Sequence, residues 1–409
     1  MHFNIIGSGL SGLSAAINLQ KHGHSFTILE TDKNPGGRVK SDHIDGFILD
    51  HGFQIFLPTY AEAKAIMDYD KLDLQAFDPG ALVLLDDGTT SVVKDPLREP
   101  SSLFSTLKSP VGSFNDKFKL LSLKSTAKSA SSDISFSSIE HPTSKFLADA
   151  GFSDQMINNF FKPFFSGVFF ENELETSSEM FKYLYNKFST SNASIPMKGM
   201  GELVINLIEQ LPPDTIVLNE KAESISKGDV FCSSGKNYKA DKCIIAIEPN
   251  LLLDKLSFKH NKKKRYACTY YYTSDEAPFE EALISINASK NKAFNNIAVL
   301  SNISKAYAPE GQNLIAISTN FSEGSFSQDD VIKQCKNWFG TKVSGWKFLT
   351  RYAIPYALPS QKTVRGSYDL SDCKINNYQY VCGDHMLYGS INAAIKSGRL
   401  TTDLALTDV

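Results

Sequence analysis

The opening stretch MHFNIIGSGLSGLSAA constrains the fold of this chain more than any other segment. Gly7, Gly9 and Gly12 form a G-x-G-x-x-G spacing directly after FNII, a short apolar run that reads as a buried parallel strand. Leu10, Leu13, Ala16, Ile17 and Leu19 then recur at helical spacing up to a stop at Gly23, and SFTILE reads as a second strand ending at Glu30. Strand, glycine turn, helix and strand within about thirty residues make a Rossmann-type βαβ unit, in which each glycine has its own task. Gly7 permits the tight turn, Gly9 lets a pyrophosphate approach the backbone, and Gly12 lets helix and strand pack closely. The helix N-terminus adds free N–H groups and partial positive charge at the same place. Glu30 suits a pair of ribose hydroxyls; an arginine there would suit a 2′-phosphate, so NADP is disfavoured. Beyond it, Gly36-Gly37-Arg38 brings flexible backbone and a forked guanidinium to the same diphosphate.

A chain of 409 residues has room for two domains and a large apolar interior. Its net charge of −3 argues against nucleic acid as a partner. Cys232, Cys243, Cys268, Cys335, Cys373 and Cys382 show neither a C-x-x-C pair nor zinc spacing, which suggests a reduced, intracellular compartment. The first strand begins so early that no signal peptide is expected, and no run of 18 apolar residues is present. The expectation is a soluble, cytoplasmic protein, with a peripheral contact at the inner face of a membrane left open.

Further along, HIDGFILD alternates as a short hairpin would. Residues 100–140 are rich in Ser and Lys and suggest helices and loops of a less regular domain. MINNFFKPFFSGVFF concentrates Phe160, Phe161, Phe164, Phe165, Phe169 and Phe170, which suit a core or the wall of an apolar cavity. Strand patterning returns in DTIVLNEKAESI, DVFCSS and KADKCIIAIEP, and a basic run, Lys262 to Arg265, precedes the strand-like RYACTYYY. That run suits a solvated loop, or a contact with anionic lipid if exposed phenylalanines share its face. The chain closes as strand, glycine turn and helix, and no internal repeat is found.

IIGSGLSGLSAA with Glu30, PGGRVKS, DGFILDHGFQIF, KPFFSGVFF, PMKGMGEL, KADKCIIAIEP, RYAIPYALP and CGDHMLYGSINAAIKSGR run in this order through nearly the whole chain. Together they resemble the FAD-dependent amine oxidase superfamily, and within it the branch of phytoene desaturases, hydroxysqualene-processing enzymes and protoporphyrinogen oxidases. The resemblance implies an α/β flavoprotein with a discontinuous FAD domain (1–60, 195–260 and 365–409) and an interleaved α+β substrate domain (61–194 and 261–364). It places Gly7, Ser8, Gly9, Leu10, Ser11 and Gly12 in the cofactor-binding set, and Glu30 at the adenosine ribose. Gly36, Gly37 and Arg38 would lie along the diphosphate towards the flavin, Ala222 at adenine, and Gly383 and Asp384 at the ribityl–phosphate region. Ser390, Ile391, Asn392 and Ala393 would offer backbone N–H groups to the pyrimidine carbonyl, where a helix N-terminus favours negative charge on reduced flavin. The chain departs from the family pattern at Asn392-Ala393-Ala394, where Glu-Gly-Ala is frequent, and at Lys198-Gly199-Met200, where Gly-Gly-Met is.

Flavin chemistry at carbon needs no obligatory side-chain nucleophile, so the question is which side chains face the ring. Candidates are His51 and Gln54, the latter also in the cofactor set, with His385 and Tyr388 near the carboxy terminus. His51 either serves as a base or hydrogen-bonds within its loop, and Tyr388 either walls the substrate or packs. Lys198 either holds a water at the flavin N5, as a lysine does in amine oxidases, or takes a surface or structural place, which its motif position suits better. The leading expectation is oxidation of an apolar polyene, isoprenoid or tetrapyrrole-like small molecule, with oxygen or a quinone as acceptor. A flavin amine oxidase and an FAD-binding isomerase or non-redox binder are the alternatives. No second G-x-G-x-x-G in a strand–helix setting points to a bound NAD(P) domain.

Overall fold

The first strand, β1 (His2–Ile6), lies inside a six-stranded sheet, flanked by β2 (Ser25–Leu29) and by the strand Lys242–Ile245. The structure is a computed structural model that describes residues 1–94, 98–99, 102–129, 140–252, 256, 258, 263–320 and 325–408. Ile5 pairs in parallel with Ile28 on one side and Ile244 on the other, and all three are fully buried. Continuous apolar runs are what a sheet covered on both faces requires. Ile216–Val217 and Gln379–Val381 extend the sheet in parallel, and Lys374–Asn376 closes one edge antiparallel. Its strands thus come from the amino terminus, from residues 216–245 and from the carboxy terminus.

The helix α1 (Leu10–Lys21) lies between this sheet and the last helix, Ile391–Thr407. Glycine sets both distances. A Cβ on Gly12 would fall 2.0 Å from the Gly7 carbonyl oxygen, and one on Gly398 would fall 2.1 Å from that of Ser11. Ser14 Oγ donates to the Ile395 carbonyl at 2.7 Å, and Asn18 Nδ2 donates to Asp403 at 2.7 Å.

A second sheet of seven strands takes the order Lys347–Pro359, Lys264–Ser274, Asn313–Thr319, Asn296–Val299, Ile284–Asn287, Gly80–Leu84 and Thr90–Lys94. All its pairings are antiparallel except Gly80–Leu84 with Ile284–Asn287. Alternation along Lys264–Ser274 sends Tyr270 and Tyr272 to one face, where they pack with Trp346 and the helix Gln328–Phe339. Tyr271 faces the other way, into the main core. The expected hairpin forms between Ser41–Ile44 and Phe47–Asp50, turning at Asp45 and Gly46, both with positive φ as a type I′ turn demands.

The Phe-rich segment divides its rings between two environments. After a wide π turn at Ile157–Phe161 the helix runs Lys162–Phe169, with Phe161, Phe165 and Phe169 buried against Phe181 and its neighbours. Phe160, Phe164 and Phe170 line a cavity, which Phe165 also reaches. Helices Leu103–Lys108 and Phe114–Ser129 occupy the described part of 100–140; residues 100–101 and 130–139, the boundary expected near 260 and Lys262 lie outside the described residues.

Asp116 anchors the second of these helices. Its carboxylate accepts from the backbone and hydroxyl of Ser113, at 2.7 and 2.6 Å, and from those of Ser153, at 2.8 and 2.6 Å. Burial opposes the charge, but these donors outweigh it and bring Asp116 down to about 2. Its stabilisation is therefore complete above the ordinary carboxylate value of 3.8 and is lost as pH falls towards 2. Asp116→Asn should cost about 2 kcal/mol at neutral pH and flatten the fall in thermal midpoint between about pH 4 and pH 2. An acid limb unchanged by the substitution would contradict this role.

Candidate functional site

A cavity of about 1420 Å³ begins beyond the carboxyl ends of β1 and β2 and is lined by residues of both sheets. Open parallel sheets bind ligands at this edge. Its first arm is a trough of backbone. Gly9, Leu10 and Ser11 line it at the start of α1, where no side chain caps the N–H groups. A Cβ on Gly9 would meet nothing within 4 Å, whereas one on Gly37, opposite, would touch the Gly9 Cα at 3.4 Å. Glu30 lies at one end, its carboxylate accepting from Ser8 N at 2.9 Å, Ser8 Oγ at 2.6 Å and Asp32 N at 3.0 Å. Glu220 N donates to the Glu30 carbonyl at 2.8 Å, which carries the chain past Glu30 to Ala222 on the cavity wall. Ser8 and Gly12 stand behind the wall, Ser8 holding Glu30 and Gly12 packing on Gly7.

Arg38 lies on the wall of the cavity. Its Nη2 donates to Asp384 at 2.7 Å and its Nη1 to the Ala357 carbonyl at 2.9 Å, while the guanidinium lies 5.4 Å above the Tyr356 ring. Gln54 Nε2 donates to the carbonyls of Arg38, at 2.8 Å, and His51, at 3.2 Å, so the loop around 51–54 is tied to the arginine. His51 is on the wall too. Its ring stacks on Tyr352 at 4.4 Å, and Asp42 accepts from both His51 Nε2, at 2.9 Å, and the Tyr352 hydroxyl, at 2.6 Å. Burial opposes charge on Asp42, but those two hydrogen bonds bring it below the usual carboxylate value. The carboxylate holds the imidazole through Nε2 and fixes the orientation of the ring.

The carboxy-terminal motif splits. Gly383, Asp384, His385, Ser390 and Ile391 line the cavity, and Gly383 has a φ of +150 that lets the His385 ring lie against its Cα. Asn392 and Ala393 are turned away. Asn392 accepts from Glu62 N at 2.9 Å and donates to the Tyr388 hydroxyl at 3.1 Å, and the Ala393 N–H is taken by Ser390 Oγ at 3.0 Å. Tyr388 packs edge-on against Tyr183 at 5.4 Å, outside the main cavity. Lys198 is exposed and away from the wall. None of the six cysteines, all buried free thiols, reaches the cavity. Tyr356 escaped the sequence reading although it sits within RYAIPYALP. Its buried hydroxyl has no hydrogen-bond partner among the described residues, and burial pushes its pKa up, which keeps it a neutral donor.

These features fit a dinucleotide. Uncapped helix N–H groups and two opposed glycines meet a pyrophosphate, Glu30 a ribose, and the space past Arg38 an extended second half. Gly9→Val should abolish dinucleotide retention while leaving the thermal midpoint of the apoprotein near wild type, because its side chain would enter only the cavity. Gly12→Ala, forced onto the Gly7 carbonyl, should unfold the protein. Glu30→Ala should weaken retention by about 1.5–3 kcal/mol per lost charge-assisted bond. Equal cofactor content in purified Gly9→Val and wild type, read by absorbance, would overturn the trough.

A family model for flavin containing amine oxidoreductases matches residues 10–406. Protoporphyrinogen oxidase 2 of Arabidopsis thaliana is 27% identical over 166 residues, 40% of this chain and 32% of that protein. The 4,4'-diaponeurosporene oxygenase of Staphylococcus aureus is 34% identical over 76 residues, 19% of this chain and 15% of the oxygenase. These matches thus span a third or less of either relative. The crystal structure of an oxidoreductase from Methanosarcina mazei shares the fold, with a TM-score of 0.73 over 99% of this chain and 100% of its own, at 16% identity. A flavin joined to the nucleotide trough makes the cofactor FAD, and the chain belongs to the family of flavin-containing amine oxidoreductases.

Proposed function

We propose that this protein is an FAD-dependent desaturase or dehydrogenase of a large apolar substrate, of the polyene, isoprenoid or tetrapyrrole class. One observation carries the reading: the nucleotide trough continues without a break into an arm walled by Phe77, Phe160, Phe164, Val168, Tyr185 and Phe188. Such a wall binds by area and shape, each buried aromatic ring contributing about 1.5–3 kcal/mol, and it keeps water from the reacting carbon. FAD, when bound, supplies the hydride acceptor. The chain supplies position and proton handling. Arg38, held by Asp384 and Ala357, fixes the polar half of the site, and His51, oriented by Asp42, brings an imidazole to the wall beside His385. Oxygen or a quinone would take the two electrons from the reduced flavin and restore its oxidised form.

An amine site would call for an aromatic pair across the flavin, and Tyr388 lies outside the cavity wall, which favours the apolar substrate. Among the described residues no helix is long and apolar enough to cross a membrane.

The test is an anaerobic flavin absorbance titration with polyenes, porphyrinogens and amines in detergent. Bleaching by a polyene or porphyrinogen is expected. Bleaching by amines alone would replace the reading with amine oxidation, and a flavin that no class bleaches would favour an isomerase or binder. Phe164→Ala should leave FAD content unchanged and raise the half-saturating substrate concentration about tenfold, the equivalent of one lost ring contact.

A further inference from the structure

One row of the second sheet is polar. Tyr352, Thr269, Ser318 and Asn296 are register partners across four neighbouring strands, so their side chains share a face. Two residues along the last three of these strands, Tyr271, Ala316 and Ala298 belong to the main core. Most of the row is partnered. Thr269 Oγ1 meets Ser318 Oγ at 3.0 Å and accepts from Phe53 N at 3.0 Å, and the Tyr352 hydroxyl donates to Asp42. Asn296 differs. It is 5% exposed and lines the cavity, and its buried Oδ1 has no hydrogen-bond partner among the described residues.

The carboxamide is seated against a glycine. Gly167, in the helix Lys162–Phe169, also lines the cavity, and a Cβ there would fall 2.6 Å from Asn296 Nδ2. Asn320 ties the two elements together from behind. Its Nδ2 donates to the Ser166 carbonyl at 3.3 Å and to Asn172 Oδ1 at 3.2 Å, while its backbone N donates to Asn295 Oδ1 at 3.0 Å. The residue before Gly167 is thereby fixed to the residue before Asn296. On either side of Gly167 the helix presents Phe164 and Val168 to the aromatic arm. A buried amide in such a wall has given up water without recovering the bond, and a ligand that supplies the missing donor restores it.

We infer that Asn296, seated against Gly167, is a specificity-determining residue that accepts a hydrogen bond from an O–H or N–H group on the bound molecule. The preferred ligand of the aromatic arm is then an apolar body carrying such a donor, and a pure hydrocarbon leaves the amide unpaired. That this ligand is the substrate rests on the function proposed above; the binding preference does not.

The experiment measures dissociation constants of two matched probe pairs for the FAD-loaded protein in detergent, read from the shift of the flavin absorbance bands. Retinol is paired with retinyl methyl ether and carbazole with N-methylcarbazole, so within each pair a donor hydrogen is replaced by methyl. Wild type should bind the donor member of at least one pair about tenfold more tightly, and the pair that shows it tells O–H from N–H. Asn296→Leu, close in volume, should bind both members alike and keep its flavin spectrum. Its thermal midpoint should match or exceed that of wild type, because no side-chain hydrogen bond is lost among the described residues. Gly167→Ala, whose methyl displaces the carboxamide, should reduce the preference in the same way and serves as the second variant. Equal binding of both members by wild type, binding of neither, or a preference that survives Asn296→Leu would overturn the inference. So would a lowered midpoint in Asn296→Leu with no preference in wild type, since the amide would then belong to an internal water. Binding is read without turnover, so a preference that Asn296→Leu abolishes, beside a flavin that no class bleaches, would keep this site and sink only the desaturase reading. Bleaching by hydrocarbon polyenes with no donor preference would do the reverse.

Discussion

The contact between Gly12 and the Gly7 carbonyl is the closest glycine approach among the described residues. With no side chain between them, α1 lies directly on β1, and the first turn of the helix is held at the edge of the sheet. Gly398 repeats the arrangement one layer out, on the Ser11 carbonyl, and brings the last helix to the same edge. Two helix N-termini therefore reach one cavity, at Gly9 and at Ser390. Each carries partial positive charge, so a bound dinucleotide would meet two places in the cavity that favour negative charge. The first suits a pyrophosphate. The second suits a ring system that gains electron density when it accepts hydride.

A second joint fixes the aromatic arm relative to the trough. Asp50, at the end of the hairpin, accepts from Ser41 Oγ at 2.5 Å, Met200 N at 2.8 Å and Tyr307 Oη at 2.9 Å. Its backbone carbonyl accepts from Tyr271 of the second sheet at 2.9 Å. Burial pushes the Asp50 carboxyl up, against the pull of its donors and of His51. A buried acid in this state is specific about its neighbours, because any misalignment of the sheets would leave it unpartnered. The continuity of the cavity depends on that alignment, since the trough and the phenylalanine wall belong to different layers.

Local pattern made the first of these layers readable. The glycine spacing, the helical period from Leu10 and the acidic strand end at Glu30 all lie within thirty residues, and the Asp45-Gly46 turn announces its own hairpin. What depended on distant partners was not readable. Gly80–Leu84 pairs in parallel with Ile284–Asn287 two hundred residues away, and no local signal carries that choice. Tyr356 was missed for a related reason. Its strand is paired with Lys264–Ser274 through irregular register between Arg265 and Ala267, which interrupts the simple alternation that would have assigned its face. Near the carboxy terminus the motif was visible, but Asn392 and Tyr388 bind each other and turn inward. Only Ser390 and Ile391 of the predicted quartet reach the cavity.

The identity of the substrate belongs to the least legible part for a physical reason. Hydride removal from carbon asks the protein for position and dryness, which many combinations of apolar residues supply, whereas a pyrophosphate asks for a particular backbone. The helix Lys162–Phe169 shows how the two demands are separated. Phe161, Phe165 and Phe169 keep one face in the core, while Phe160 and Phe164, offset by one residue, form the wall. The π turn ahead of it adds a residue without ending the helix, so both rows continue through the bend. The two rows touch, Phe160 on Phe161 at 5.7 Å and Phe164 on Phe165 at 5.2 Å, so the core row backs the wall. Under the function proposed for this chain, the backbone trough would hold the cofactor and the shape of the aromatic arm would select the substrate.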